Sequence, residues 1–208
     1  MRGFLDFALR APLGMTPLGG LERRAEGDEA MMTIGHSTLS LEAFLRALRE
    51  NGVETLVDVR RFPGSRRHPQ FSQAALFGSL KRAGIRGVWR EGLGGRRKAQ
   101  PDSRNTGWKN ESFRGYADYM QTPEFREEID WLVALPEIAR TVVMCAEAVP
   151  WRCHRSLIAD AVLARGLEVE DILVKVDGES SRRPHKMTAF AQVREGRVWY
   201  PKEPVLFG

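Results

Sequence analysis

Short, fully apolar runs alternate along the chain with longer stretches in which apolar residues recur every three or four positions. MMTIG at 31–35 predicts a short buried strand. Ser40 then stands as a helix N-cap. Leu41, Phe44, Leu45 and Leu48 follow at helical spacing, and Asn51-Gly52 ends the helix. TLVDV at 55–59 predicts the next strand, and a loop rich in Pro, Gly and Arg runs on through Pro69. Ser72 is expected to cap a helix that carries Leu76, Phe77 and Leu80 and stops at Gly84. Residues 85–89 fit a third strand. Residues 90–111 form a long polar, Gly-containing loop, a length usually tied to function or mobility.

Ser112 is expected to start a helix with Phe113, Tyr116, Ala117 and Met120 on one face. Thr122-Pro123-Glu124 gives the next helix a cap, a proline in the first turn and an acid against the dipole. TVVMC at 141–145 reads as a buried strand, and residues 155–165 as a helix closed by Gly166. Residues 171–176 read as another strand, and Glu195-Gly196 as the turn of a hairpin between 191–194 and 197–200. Such alternation predicts an α/β fold of three layers, a mostly parallel sheet flanked by helices, Rossmann-like or rhodanese-like, with a small C-terminal hairpin. Residues 31–208 read as a single domain. Residues 1–30, rich in Gly, Pro and charge, read as an N-terminal extension, disordered or upstream of the true start, with an arm packed on the domain as the alternative.

Ligands of such sheets bind beyond the carboxyl ends of the strands. That rule gathers Gly35-His36-Ser37, residues 58–70, residues 91–110 and residues 145–154 into one region. Composition narrows what might bind there. No run of about 18 apolar residues exists, so no membrane span is expected. The first residues lack a clear cleavage site, which points to a cytoplasmic protein. The formal charge is +5 and the surplus is clustered at Arg60, Arg61, Arg66 and Arg67, at Arg96, Arg97 and Lys98, and at Arg182 and Arg183. Such clusters suit phosphate or nucleic acid; a solvated basic face is the alternative. Two cysteines and no secretion signal make reduced thiols the expectation.

The candidate chemistry centres on TVVMCAEAVPWRCHRSLIAD. Cys145 ends an apolar strand, and Cys153, His154, Arg155 and Ser156 open a helix. Unpaired N–H groups at a helix start, with Arg152 and Arg155, favour a thiolate and form an anion cradle. Cys145 could equally be a small buried apolar residue. Glu147 offers a general base or an ion pair with Arg152 or Arg155. His36 is expected to face the same crevice as an acid/base, a satisfied hydrogen-bonding histidine being the alternative. Ser37 adds a hydroxyl there. Asp58 needs a buried partner, with Arg60 the obvious one. Arg61 leaves the strand as a further substrate-binding candidate, and Arg66, Arg67 and His68 project as phosphate contacts. Trp108, among Arg104, Lys109 and Arg114, suits base stacking or the packing of a lid. Cys145, Cys153, His154 and His36 include zinc-type ligands, but no CxxC or HExxH pattern occurs, so no metal and no cofactor is expected.

At these residues the chain resembles the bacterial family termed domain of unknown function 488. The resemblance rests on TIGHS at 33–37, LVDVRRFPGSRRHPQF at 56–71, GLGG at 92–95, FRGYADYM at 113–120, MCAE at 144–147 and CHRSLIAD at 153–160. The PH at 184–185 and the WYP at 199–201 add to it. It covers roughly residues 31–201 and implies a compact α/β domain with its shared residues on the loops named above. A second similarity, to rhodanese-like domains, lies in LVDVR and in a later strand that ends in Cys ahead of an Arg-Ser helix start. It implies Cys145 as nucleophile and Arg155-Ser156 as the pair closing an anion loop. Residues 146–154, with Pro150 and Trp151, make that loop longer than the short cradle of the pattern.

The reading that follows is an α/β protein binding a phosphate-bearing ligand, a nucleotide or nucleic acid, at a Cys/His/Arg site, as a hydrolase or transferase. A non-catalytic nucleic-acid-binding module and a rhodanese-like sulfur or phosphoryl transferase are the alternatives.

Overall fold

Met31–Gly35 (β1) is buried at every position. A strand with helices on both faces has no side to give to water, which is why its sequence runs apolar rather than alternating. Thr141–Cys145 (β4) follows the same rule. The computed structural model describes residues 30–64 and 67–202. Almost all of the expected N-terminal extension, and Arg66 of the first basic cluster, lie outside the described residues.

Thr55–Asp58 (β2), Arg86–Trp89 (β3), Val169–Val174 (β5) and Ser180–Pro184 (β6) complete a six-stranded sheet in the order β3-β2-β4-β1-β5-β6. All neighbours pair parallel except β5 and β6, which pair antiparallel. The expected mostly parallel α/β sheet is the one observed. Two features differ from expectation at this edge. The strand expected over 171–176 starts earlier, because Val169 and Glu170 already pair with Met31 and Met32 of β1. The β6 strand, SSRRP, carries no apolar alternation to announce it. Its charges and Pro184 are those of an edge strand that discourages further pairing.

Leu41–Glu50 (α1) and Gln73–Arg82 (α2) cover one face of the sheet. Phe44, Leu48, Leu76 and Leu80 pack there on Met32, Ile34, Leu56, Val142 and Met144. Glu111–Tyr119 (α3), Pro123–Val133 (α4) and Arg155–Leu163 (α5) cover the other, where Ile129, Leu132, Leu157 and Ile158 pack near Val57, Val143 and Cys145. The Ser40 hydroxyl accepts from the Ala43 amide at 3.1 Å and the Thr122 hydroxyl from the Phe125 amide at 3.3 Å, as the capping pattern predicts. Ser72 holds the N-cap position without a side-chain cap bond. The cap of α3 is Asn110 rather than Ser112: its Oδ1 accepts from the Ser112 and Phe113 amides. The C-terminal hairpin, Gln192–Arg194 (β7) with Arg197–Trp199 (β8), turns at Glu195 and Gly196, both at positive φ, as a two-residue turn requires.

The order of strands fixes where a ligand can enter. From β1 the chain crosses to β2 on one side; from β4 it crosses to β5 on the other. Such a reversal opens a crevice at the carboxyl ends of the two adjacent strands. Gly35 and Cys145 lie opposite each other there. The chains continue paired for one step more, with the His36 amide on the Cys145 carbonyl and the Ser37 amide on the Ala146 carbonyl.

Candidate thiolate–arginine site

Cys145, the last residue of β4, turns its side chain toward α5 and is 2% exposed. Residues 146–154 leave the sheet, make a tight turn at Pro150–Arg152 and return into α5. The first residue of that helix, Arg155, is buried completely. Its Nη1 donates to the Cys145 sulfur at 2.9 Å and to the Glu147 carbonyl at 2.7 Å. Nη2 donates to the Ala148 carbonyl at 3.0 Å and Nε to the Thr33 hydroxyl at 3.3 Å. Thr33 in turn donates to Asp171 at 2.7 Å. Among the described residues no carboxylate ion-pairs with Arg155. A buried cation needs a compensating negative group, and the ionisable group that its guanidinium hydrogen-bonds among the described residues is the Cys145 thiol.

Burial on its own pushes that thiol up. A hydrogen bond from Cys153, the Arg155 charge and the Glu147 contact outweigh it and bring Cys145 down to about 7. Cys153 moves the opposite way, held well above its ordinary value by burial and by its contact with Cys145. The site is therefore built to hold one thiolate beside one thiol. Gly35 makes it possible: a Cβ there would lie 1.7 Å from the Glu147 carbonyl oxygen and 2.7 Å from Arg155 Nη1, so only glycine lets the two strand ends close over the guanidinium.

A cavity of about 230 Å3 opens above the two sulfurs, lined by Arg60, Arg61, Phe62, Gly95, Arg96, Cys145, Ala146, Glu147, Cys153 and His154. The structure thus brings together Cys145, Cys153, His154, Glu147, Arg60 and Arg61 of the residues the sequence singled out. Nε2 of His154 faces the Val59 carbonyl at 3.2 Å, so it carries the proton and leaves Nδ1 as an acceptor 3.5 Å from the Cys153 sulfur. Burial above all, then the nearby arginines, lower its pKa to about 4, so it is neutral at pH 7. Gly95 admits this ring, since a Cβ there would meet Nδ1 at 2.8 Å. Glu147 is exposed, and its carboxylate makes no ion pair among the described residues; neither Arg152 nor Arg155 claims it.

Other candidates are placed elsewhere. His36 does not line the cavity. Its ring stacks on Phe71 at 4.2 Å, Nδ1 donates to the Ser37 carbonyl, and Nε2 accepts from Arg60. Burial first, and Arg60 second, lower it to about 4. The satisfied, neutral histidine is what the structure contains. Ser37 sits in the adjoining turn at φ 43°. Asp58 and Arg60 form a bidentate pair at 2.8 and 2.6 Å, and Arg60 also donates to the Phe71 carbonyl, so this pair clamps the loop after β2. Arg67 and Arg152 are exposed, and His68 lies edge-on to His36. Arg155 has every nitrogen engaged within the protein and acts on Cys145 rather than reaching the cavity surface. Ser156 donates to the Cys153 carbonyl.

Of the rim residues, sequence reasoning missed Phe62; it named Arg96 only within a basic cluster and Gly95 only within the GLGG motif. The guanidinium groups of Arg61 and Arg96 both lie over the exposed Phe62 ring. An aromatic residue next to arginines in a loop after a strand was the available signal.

A second cavity, about 620 Å3, lies on the other side of residues 150–156. It is lined by Trp108, Pro150, Trp151, Ser156, Asp171, Arg183, Pro184, His185, Lys186 and Thr188. Trp108 packs there against Phe113 and Phe190, the lid-packing alternative. His185 is bracketed by Asp171 at 3.0 Å and Asp160 at 3.3 Å. Burial opposes its charge, but the two carboxylates prevail and raise it to about 9. A folded-state pKa above the unfolded value contributes stability that is complete below about 6.5 and fades as pH rises through about 9. We expect His185→Gln to cost roughly 3 kcal/mol at pH 6 and much less at pH 9.5, read as the difference in urea midpoint from wild type. An equal cost at both pH values would contradict the charged pair.

Fold and site together define a three-layer α/β protein with a strand-end cysteine held against a buried arginine. Residues 40–162, more than half the chain, match the family described as Domain of unknown function DUF488. The chain belongs to that family, in agreement with the motifs read from its sequence. No curated protein matches it. Among the described residues no helix is long and apolar enough to cross a membrane.

Proposed function

We propose that this protein is a transferase or hydrolase that moves a group from a phosphate-bearing donor, a nucleotide or a nucleic-acid end, through covalent attachment to Cys145. The observation that carries the reading is the fully buried Arg155, which donates at 2.9 Å to the Cys145 sulfur and meets no carboxylate among the described residues. A thiolate populated near neutral pH is a nucleophile without prior loss of a proton. A cavity of about 230 Å3 suits one anionic group rather than a whole nucleotide, the remainder extending over the rim. Arg61 and Arg96 face the donor oxygens, and the Glu147 carboxylate takes the proton of the incoming water or acceptor hydroxyl. His154, neutral and committed to Val59, orients the loop and the Cys153 thiol.

Carboxymethylation of Cys145 by iodoacetate tests the reading. Inorganic phosphate and nucleoside monophosphates are expected to slow it several-fold and competitively, and the protection is expected to weaken in Arg61→Ala and Arg96→Ala. Absence of protection at millimolar phosphate overturns the anionic donor. Protection by thiosulfate alone moves the chemistry to sulfur transfer. A non-catalytic nucleic-acid module has the exposed Arg67, Arg96 and Lys98 in its favour. It requires salt-dependent oligonucleotide binding that survives loss of both thiols.

A further inference from the structure

The chain has two cysteines, and the fold delivers both to one small cavity. They stand at opposite ends of the 145–153 segment, yet both line the same cavity of about 230 Å3. Both are free. A buried cysteine that only fills space explains its own burial. It does not explain why the second thiol of the chain lines the same small cavity as a sulfur that an arginine already holds at 2.9 Å. A disulfide bond is about 2 Å long, and movement of the loop between the two residues brings sulfurs that line one cavity of about 230 Å3 to that distance. The intervening Ala146, Glu147 and Ala148 are exposed and leave room for it.

We propose that Cys145 and Cys153 form a two-thiol redox couple that reduces hydrogen peroxide, Cys145 attacking first and Cys153 resolving. This rests on the Cys145 thiolate of the reading above but not on its anionic donor. The Cys145 sulfur attacks one peroxide oxygen. The O–O bond breaks, the other oxygen leaves as hydroxide and is protonated to water, and Cys145 becomes a sulfenic acid. The Cys153 sulfur then attacks the Cys145 sulfur, and the S–O bond breaks. The departing hydroxide leaves with the Cys153 proton as a second water. The two thiols give up two electrons, the peroxide takes them, and the product is a Cys145–Cys153 disulfide.

The geometry favours a small oxidant, because the sulfurs are 2% and 6% exposed at the floor of the cavity. Arg155 stabilises the attacking thiolate, and the resolving sulfur lines the same cavity. Closing the disulfide removes the thiolate from Arg155 and switches off any reaction that uses it, so the same couple ties the site to the redox state of its surroundings.

The test treats the reduced full chain with hydrogen peroxide at pH 7 and follows intact mass and titratable thiols. Wild type is expected to lose both thiols and two hydrogens in mass, and dithiothreitol restores both. Cys153→Ser is expected to stop at a sulfenic acid on Cys145 that dimedone labels, and Cys153→Ala gives the same result should serine disturb folding. Cys145→Ser is expected to leave Cys153 reduced. Wild type that accumulates dimedone-labelled Cys145 while Cys153 stays titratable overturns the couple. Oxidation of Cys153 that proceeds equally without Cys145 overturns it as well. Phosphate protection of the reduced protein judges the group-transfer reading separately. If protection is absent and the disulfide forms, the couple stands without it; if protection holds and no disulfide forms, the couple alone fails.

Discussion

Cys145→Ser is expected to abolish turnover of any phosphate-bearing donor, by roughly 10³-fold or more, while leaving the fold in place. Serine is close in size to cysteine and fits the same space at the end of β4. It can still accept a hydrogen bond from Arg155 Nη1, which now meets the Cys145 sulfur at 2.9 Å. What it cannot do is ionise near neutral pH, so the negative charge facing the guanidinium disappears. Cys153→Ser is expected to keep most of the group-transfer rate, because Cys153, held as a neutral thiol, contributes no charge to the site. The pair is read by steady-state turnover with circular dichroism as the control for folding. Equal loss in both variants would show that neither sulfur acts alone.

Arg155→Met is expected to have the largest effect on stability. Methionine fills much of the volume but leaves the Glu147 and Ala148 carbonyls and the Thr33 hydroxyl without the donors they now have at 2.7, 3.0 and 3.3 Å. An acceptor left unpaired out of reach of water costs about 1–3 kcal/mol, and the two carbonyls, only part-buried, cost toward the low end of that range. Relief of guanidinium desolvation offsets part of that, for a net loss of roughly 2–4 kcal/mol. Arg155→Lys keeps the charge but not the fork, and is expected to fall between. Urea midpoints at pH 7 measure both. A Met variant as stable as wild type would mean that these bonds are not what holds residues 146–148 over the sheet.

Much of the fold was legible because apolar runs and caps agree with each other: β1, β4 and the Thr122 start of α4 lie where their patterns put them. The β6 strand was not, since an edge strand of Ser, Arg and Pro carries no periodic signal. The site was legible in position, through a Cys at a strand end followed by a helix that opens with Arg155. The direction of its side chains was not. His36 shows why. Alternation along β1 puts Thr33 and Gly35 on the α5 face and Ile34 and His36 on the α1/α2 face. Gly35, not His36, stands opposite Cys145, so the ring turns away to Phe71. Asp58, by contrast, meets Arg60, the partner expected for it. Which arginine would be buried and which left on the rim depended on contacts between segments far apart in sequence, such as Arg155 with Thr33. The His185–Asp160–Asp171 cluster escaped for the same reason, its members being held together only by the folded sheet and α5.

The pairing of a Cys145 thiolate with the buried Arg155 is tested most directly by the pH dependence of Cys145 alkylation by iodoacetamide, measured in wild type and in Arg155→Lys and Arg155→Met. Wild type is predicted to react with a midpoint at about 7, and the Met variant with a midpoint above the ordinary thiol value of about 8.5, because burial then acts unopposed by charge. A wild-type midpoint at or above 8.5, or one that Arg155→Met leaves in place, would contradict the pairing.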